Sequence, residues 1–85
     1  MNKMNYGYER KVKNMTNSAK LKAKIVEKQL NQEQIAEQLG MTIATFNYKV
    51  NNKTEFKASE IKVLSELLGL TADEVNTIFF ADKVE

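Results

Sequence analysis

Apolar side chains recur every three or four residues through most of the chain, a spacing that predicts amphipathic helices. The first stripe contains Leu21 and Ile25, and either Val26 or Leu30 extends it. We expect these residues to lie on the inner face of a helix that Asn17 or Ser18 caps and that ends near residue 29. Residues 1–18 show no sustained apolar period, and we interpret them as a flexible basic arm or a frayed helix.

Capping residues and glycines divide the rest of the chain into four further helices. Asn31, Thr42 and Thr71 are suited to capping helix N-termini, and Gly40 and Gly69 are suited to ending helices. The predicted helices lie at about 32–39, 43–51, 58–68 and 72–80, and residues 51–54 form a turn. The sequence therefore predicts an all-α fold with five short helices and a folded domain over residues 19–82.

Large apolar residues on the inner faces of these helices form the predicted core. They include Ile35, Leu39, Phe46, Val50, Phe56, Ile61, Leu64, Leu67, Leu68, Val75 and Ile78, with Ala36 at a close helix crossing. Phe79 and Phe80 are consecutive, so one helix cannot direct both inward. One is expected in the core, and the other, with Val84, is a candidate dimer contact unless the tail folds over it.

Positive charge is concentrated in the first part of the chain. Residues 1–30 hold eight lysines and arginines against two acidic residues, a balance of +6, whereas residues 31–85 hold five lysines against nine acidic residues, a balance of −4. This asymmetry indicates a polyanionic partner on the N-terminal side, with a merely solvated surface as the alternative.

The amino-acid composition excludes several kinds of catalytic and metal-binding site. The chain has no Cys and no His, which removes thiolate nucleophiles, disulfides, zinc fingers and the commonest general base. It also has no Gly-rich phosphate loop and no apolar run long enough to span a membrane. We expect a cytoplasmic protein that is not an enzyme and has no metal, cofactor, small-molecule substrate or membrane partner.

The stretch from Leu30 to Thr54, LNQEQIAEQLGMTIATFNYKVNNKT, resembles the phage repressor and Cro-type (XRE-like) helix-turn-helix family. The residues that match the family pattern are Gln32, Glu33, Ala36, Leu39, Gly40, Met41, Thr45, Phe46, Asn51 and Lys53. The later segments resemble the small Cro/repressor subgroup, so the similarity extends over about residues 19–82. Asn52 replaces a usual Gly, and Lys57 stands where many members have a capping Thr or Ser.

The resemblance implies a lambda-repressor-like domain whose second and third helices form the helix-turn-helix. In that architecture the third helix enters the major groove, and its outward residues Ile43, Ala44, Asn47 and Tyr48 would contact bases. Ile43 and Ala44 could pack on a thymine methyl, and Asn47 could pair with adenine. The alternatives are a half-buried Ile43 and a solvated Asn47.

Phosphate contacts are implied at Gln32, Thr42, Asn51 and Lys53. Gln32 stands in the first turn of the second helix, where backbone N–H groups favour an anion, with simple capping as its alternative role. For Lys53, in the turn after the third helix, the alternative to a phosphate contact is a charge that is merely solvated. Of the lysines on the first helix, Lys20 or Lys24 is the best candidate.

The predicted function is a sequence-specific transcriptional regulator of phage or prophage type that binds an operator in double-stranded DNA. Such proteins generally bind an inverted repeat as a homodimer. The alternative is a protein-interaction module, such as an antirepressor or assembly factor, that retains the same fold. Residues 1–18 could track a DNA groove, bind a partner, or result from an upstream start codon.

Overall fold

The structure is a computed structural model that describes residues 12–84, with side-chain positions for residues 15–80. Within this segment, five helices form the main part of the fold, as predicted. They are α1 Ser18–Glu27, α2 Gln32–Gln38, α3 Ile43–Val50, α4 Ala58–Leu68 and α5 Ala72–Phe79. Two four-residue strands, β1 Val12–Met15 and β2 Ala81–Val84, flank the helices in the chain.

Side-chain caps begin four of the helices, which explains why they start where the sequence predicts. The side chains of Asn17, Asn31, Thr42 and Thr71 each accept a hydrogen bond from a backbone N–H three residues later. Asn31 and Thr71 also form reciprocal capping boxes with Gln34 and Glu74. Each such cap typically contributes about 1 kcal/mol to helix stability.

The start of α4 is organised differently. Lys57 occupies the capping position, but an ammonium group has no acceptor for a backbone N–H. Instead Glu60 Oε1 accepts a hydrogen bond from Lys57 N at 2.8 Å. The carboxylate of the first turn therefore replaces part of the missing cap.

Four helices end at a residue in the left-handed conformation: Gln29, Gly40, Asn52 and Gly69, with φ between 60° and 70°. After each of the four helices, two successive backbone N–H groups bond back to carbonyls of the last turn, as in a Schellman motif. At Gly40 an added Cβ would meet nothing within 4 Å, so the backbone conformation rather than space favours glycine there.

The core lies where all five helices meet, and three aromatic rings form its centre. Phe46 packs edge-on against Phe56 with ring centroids 5.9 Å apart, and Phe56 packs edge-on against Phe79 at 5.7 Å. The predicted inner positions on each helix are buried or partly buried in one cluster. Leu30, not Val26, extends the stripe of α1, since Val26 is 74% exposed.

Phe79 and Phe80 divide as expected between the interior and the surface. Phe79 is buried, whereas Phe80 is 41% exposed. The backbone of Val84 lies opposite Val12 in the strand pair. The use of Phe80 and Val84 in a dimer remains a prediction.

The antiparallel pairing of β1 with β2 was not predicted. Residues 1–11 of the expected arm lie outside the described residues, but Val12–Met15, which were expected in the arm or in a frayed helix, form a strand with Ala81–Val84. Strands of four residues give little periodic signal, and their partners are more than sixty residues apart in the chain. Only the packing of α1 beside α5 brings them together.

An ion pair joins α1 to α5. Lys24 Nζ lies 2.7 Å from Glu74 Oε2 and 3.4 Å from Glu27 Oε1. The hydrogen bond from Lys24, and then that from the Thr71 backbone, lower the pKa of Glu74 below 4.5. The same bond to Glu74 raises the pKa of Lys24 above 10.5.

This pair predicts a specific pH dependence of stability. Because the pKa of Glu74 is lower in the folded state, its contribution is present above pH 4.5 and is lost as the pH falls through the folded value. Glu74→Gln keeps an oxygen that can accept from Thr71 N but loses the charge. Urea unfolding between pH 6 and about 3 should therefore show a shallower acid decline for Glu74→Gln than for the wild type. Parallel declines would contradict this role of the pair.

Among the helices of the described segment, none combines the length and the apolar character needed to cross a membrane.

Candidate nucleic-acid interface

The outer face of α3 carries the four residues predicted to contact bases. At about 100° per residue, Ile43, Ala44, Asn47 and Tyr48 fall within an arc of about 140°. Tyr48 is 57% exposed and Ile43 is 42% exposed, Ala44 is exposed, and Asn47 is half-buried. The helix therefore presents one continuous surface that combines two apolar side chains, an amide and a phenol.

The inner face of α3 anchors this surface. Phe46 and Val50 are fully buried, so the helix cannot rotate about its axis without exposing them to water. At its N-terminus, Thr42 Oγ1 accepts from Thr45 N at 3.1 Å and donates to Thr45 Oγ1 at 3.0 Å. Thr42 is thus a cap, and a phosphate contact would require its hydroxyl hydrogen to turn away from Thr45.

Gln32 lies at the start of α2, beside a lysine of α1. It is half-buried and lines a shallow depression that also includes Lys22, Val26 and Asn31. The first-turn N–H groups of a helix have no acceptor within the helix, and here Asn31 Oδ1 accepts from that of Gln34. A cation, an amide and a helix N-terminus therefore lie together at this end of α2.

Lys22 is the lysine of α1 that sequence reasoning did not select. Lys24 is engaged by Glu74 and Glu27, and Lys20 lines the same groove between α1 and α5 as Lys24 and Glu74. Lys24 is thus paired within the protein, whereas Lys20 is exposed, and a phosphate contact by Lys20 stays a prediction. Its place along the same depression as Gln32 distinguishes Lys22 from Lys20 and Lys24.

The turn after α3 holds the other two predicted phosphate ligands. Asn51 and Lys53 are both exposed, and their backbone N–H groups bond to Asn47 O at 3.0 Å and Tyr48 O at 2.8 Å. Between them, Asn52 adopts φ 65°. Both side chains thus project from a backbone that is fixed by the end of the helix.

Lys49 is a buried residue that sequence reasoning missed. It is 9% exposed, and its Nζ lies 3.2 Å from Glu60 Oε1 and 3.1 Å from Glu55 O. Lys49 lies about 60° from Phe46 around the helix axis, toward the core. This angle could have predicted its burial from the sequence. The only lysine within α3 therefore joins α3 to α4 and is not presented to a ligand.

No group of acidic side chains suited to holding a metal ion occurs in the part of the chain that the structure describes. The candidate surface thus consists of the outer face of α3, the turn at Asn51–Lys53, and the start of α2 with Lys22.

Comparison with known proteins gives one family. The sequence profile of a family described as "Protein of unknown function (DUF739)" matches residues 15–82. No curated protein matches the sequence. The match includes all five helices and every predicted DNA-contacting residue. The chain therefore belongs to the DUF739 family of proteins of unknown function.

Proposed function

We propose that this protein is a sequence-specific DNA-binding transcriptional regulator of the phage or prophage Cro or repressor type. In this proposal the domain is lambda-repressor-like, α2 and α3 form a helix-turn-helix, and α3 lies in the major groove. The observation that carries the proposal is the exposed outer face of α3, which Phe46 and Val50 hold in one orientation. The resemblance of residues 30–54 to that family supplies the class of ligand.

Base recognition in this proposal combines apolar and polar contacts. Ile43 and Ala44 pack on thymine methyl groups, which only the major groove presents. Asn47 pairs with adenine, and the hydroxyl of the exposed Tyr48 reaches a base or a phosphate. Because Ile43 and Ala44 cannot form bidentate hydrogen bonds, discrimination at the base pairs that they contact is weaker than at a bidentate contact.

Backbone contacts come from the two ends of the helix pair. Gln32 and Lys22 bind a phosphate at the start of α2, where the helix dipole assists them. Asn51 and Lys53 bind the DNA backbone beyond the end of α3. Thr42 contributes when its hydroxyl turns toward a phosphate. The operator is an inverted repeat bound by two copies of the chain, with half-sites about 34 Å apart.

The decisive experiment is selection of bound fragments from sheared genomic DNA of the source organism, followed by titrations of the selected site at several salt concentrations. With about six phosphates contacted, the log–log slope of the binding constant against salt should be near −5. Lys53→Ala, which removes one phosphate contact from each of the two bound copies, should make that slope less steep by about 2. Tyr48→Ala should lower affinity for the site. Lys62→Ala, which removes the same charge from an exposed position on α4, is the matched control and should leave affinity within about twofold.

A second candidate function is a protein-interaction module, such as an antirepressor or assembly factor. The observation that favours it is the exposure of Ile43 and Tyr48 on one helix face, since exposed apolar surface often marks a protein contact. A salt slope near zero for a partner, with no DNA fragment enriched by the folded protein, would support this alternative and contradict the first.

A further inference from the structure

A cluster of hydrogen bonds joins the end of α3 to the chain segment that leads into α1. Asn52 Oδ1 accepts from Thr16 N at 2.9 Å, and Asn52 Nδ2 donates to Thr16 O at 2.9 Å. Ser18 Oγ donates to the carbonyl oxygen of Val50. These contacts span more than thirty residues of sequence, so they fix the position of the turn relative to another part of the fold.

The side chain of Asn52 does more than permit a left-handed residue. Glycine would adopt φ 65° at least as easily, but it could not make the two bonds to Thr16. The amide oxygen and the amide nitrogen of Asn52 bond to the N–H and the C=O of the same residue, Thr16. One N–H and one oxygen lone pair of the Asn52 amide are therefore used within the protein, on Thr16.

These hydrogen bonds also affect how firmly the backbone of Lys53 is held. Lys53 follows Asn52 directly, and its backbone N–H is bonded to Tyr48 O. A lysine side chain is flexible, so a defined phosphate contact depends on how well its backbone is held before binding. The bonds of Asn52 to Thr16 and of Lys53 to Tyr48 hold that backbone from two directions.

We propose that Asn52 is a positioning residue for the contact of Lys53 with a DNA phosphate. The inference rests on the proposed DNA-binding function and deepens it, because it assigns a role in binding to a side chain that does not touch the nucleic acid. Without this amide, the hydrogen bonds at the end of α3 still hold the turn, but the bonds to Thr16 are lost. The backbone that carries the Lys53 side chain is then less firmly fixed when Lys53 contacts the phosphate.

The experiment is a double-mutant cycle on the selected DNA site, with Asn52→Gly and Lys53→Ala measured singly and together. Asn52→Gly retains the left-handed turn, so circular dichroism should show a folded protein. We expect it to weaken binding about fivefold and to make the salt slope less steep by up to about 1.8, the value for one phosphate in each of the two bound copies. In the Lys53→Ala background, the same change should alter affinity by less than about twofold.

Ser18→Ala is the control for loosening of the same junction, since it removes the hydroxyl donor to Val50 and leaves the Asn52 bonds in place. We expect its affinity within about twofold of the wild type and its salt slope unchanged. An equal loss for Asn52→Gly with and without Lys53 would overturn the proposal, as would no loss at all or the same loss for Ser18→Ala. A wild-type protein that enriches no DNA would overturn the proposed function as well, whereas the other outcomes leave that function standing.

Discussion

Replacing Phe46 with alanine is expected to lower the free energy of unfolding by about 3–5 kcal/mol. The Phe46 side chain is fully buried and packs edge-on against Phe56, which in turn contacts Phe79. The substitution therefore opens a cavity at the centre of the core. A domain of this size has a total stability of only about 4–13 kcal/mol at the usual value per residue, so this one change could unfold it.

Urea unfolding followed by circular dichroism measures the effect, and the chain offers a matched control. Phe80→Ala removes the same ring from a residue that is 41% exposed. We expect that control to lose less than about 1 kcal/mol. Similar losses for the two variants would contradict the assignment of Phe46 to the centre of the core.

Replacing Glu60 with alanine is expected to cost about 3 kcal/mol, because breaking a buried ion pair leaves the other charge without its partner. The side chains of Lys49 and Glu60 are only 11% and 15% exposed. Glu60 also accepts from Lys57 N at the start of α4. Its loss therefore leaves Lys49 with the carbonyl of Glu55 alone and removes the partial cap of the helix.

Unfolding of two further variants tests the cause of this loss. Lys49→Met combined with Glu60→Gln removes both charges and keeps an acceptor for Lys57 N, so it should be more stable than Glu60→Ala. Glu66→Ala, at an exposed position on α4, should change stability by less than about 0.5 kcal/mol. A double variant as unstable as Glu60→Ala would mean that the uncompensated charge is not the cause.

Local patterns predicted the helices well because helix formation depends on neighbours in the chain. The inward stripe of Leu21 and Ile25 and the caps at Asn31 and Thr71 gave helix positions within about two residues of those observed. The conformation of Gln29 could not be predicted in this way. This residue takes a left-handed conformation at the end of α1, although its residue type gives no indication of that.

The candidate site was predicted less completely than the helices. Helical periodicity was sufficient to place Ile43, Ala44 and Tyr48 on the exposed face of α3. It did not identify Lys22, which lines the same depression as Gln32 of the next helix. It also did not indicate that Lys24 is engaged by Glu74 on α5.

The sequence by itself thus determined the five helices, the caps that begin them and the outward face of α3, because each of these follows from residues a few positions apart. The tertiary structure alone decided which polar side chains pair between different elements. Lys49 of α3 binds Glu60 of α4, and Asn52 binds Thr16, which is 36 residues away in the chain. The physical reason is that these pairings depend on how the elements pack against one another, and local periodicity does not specify that packing.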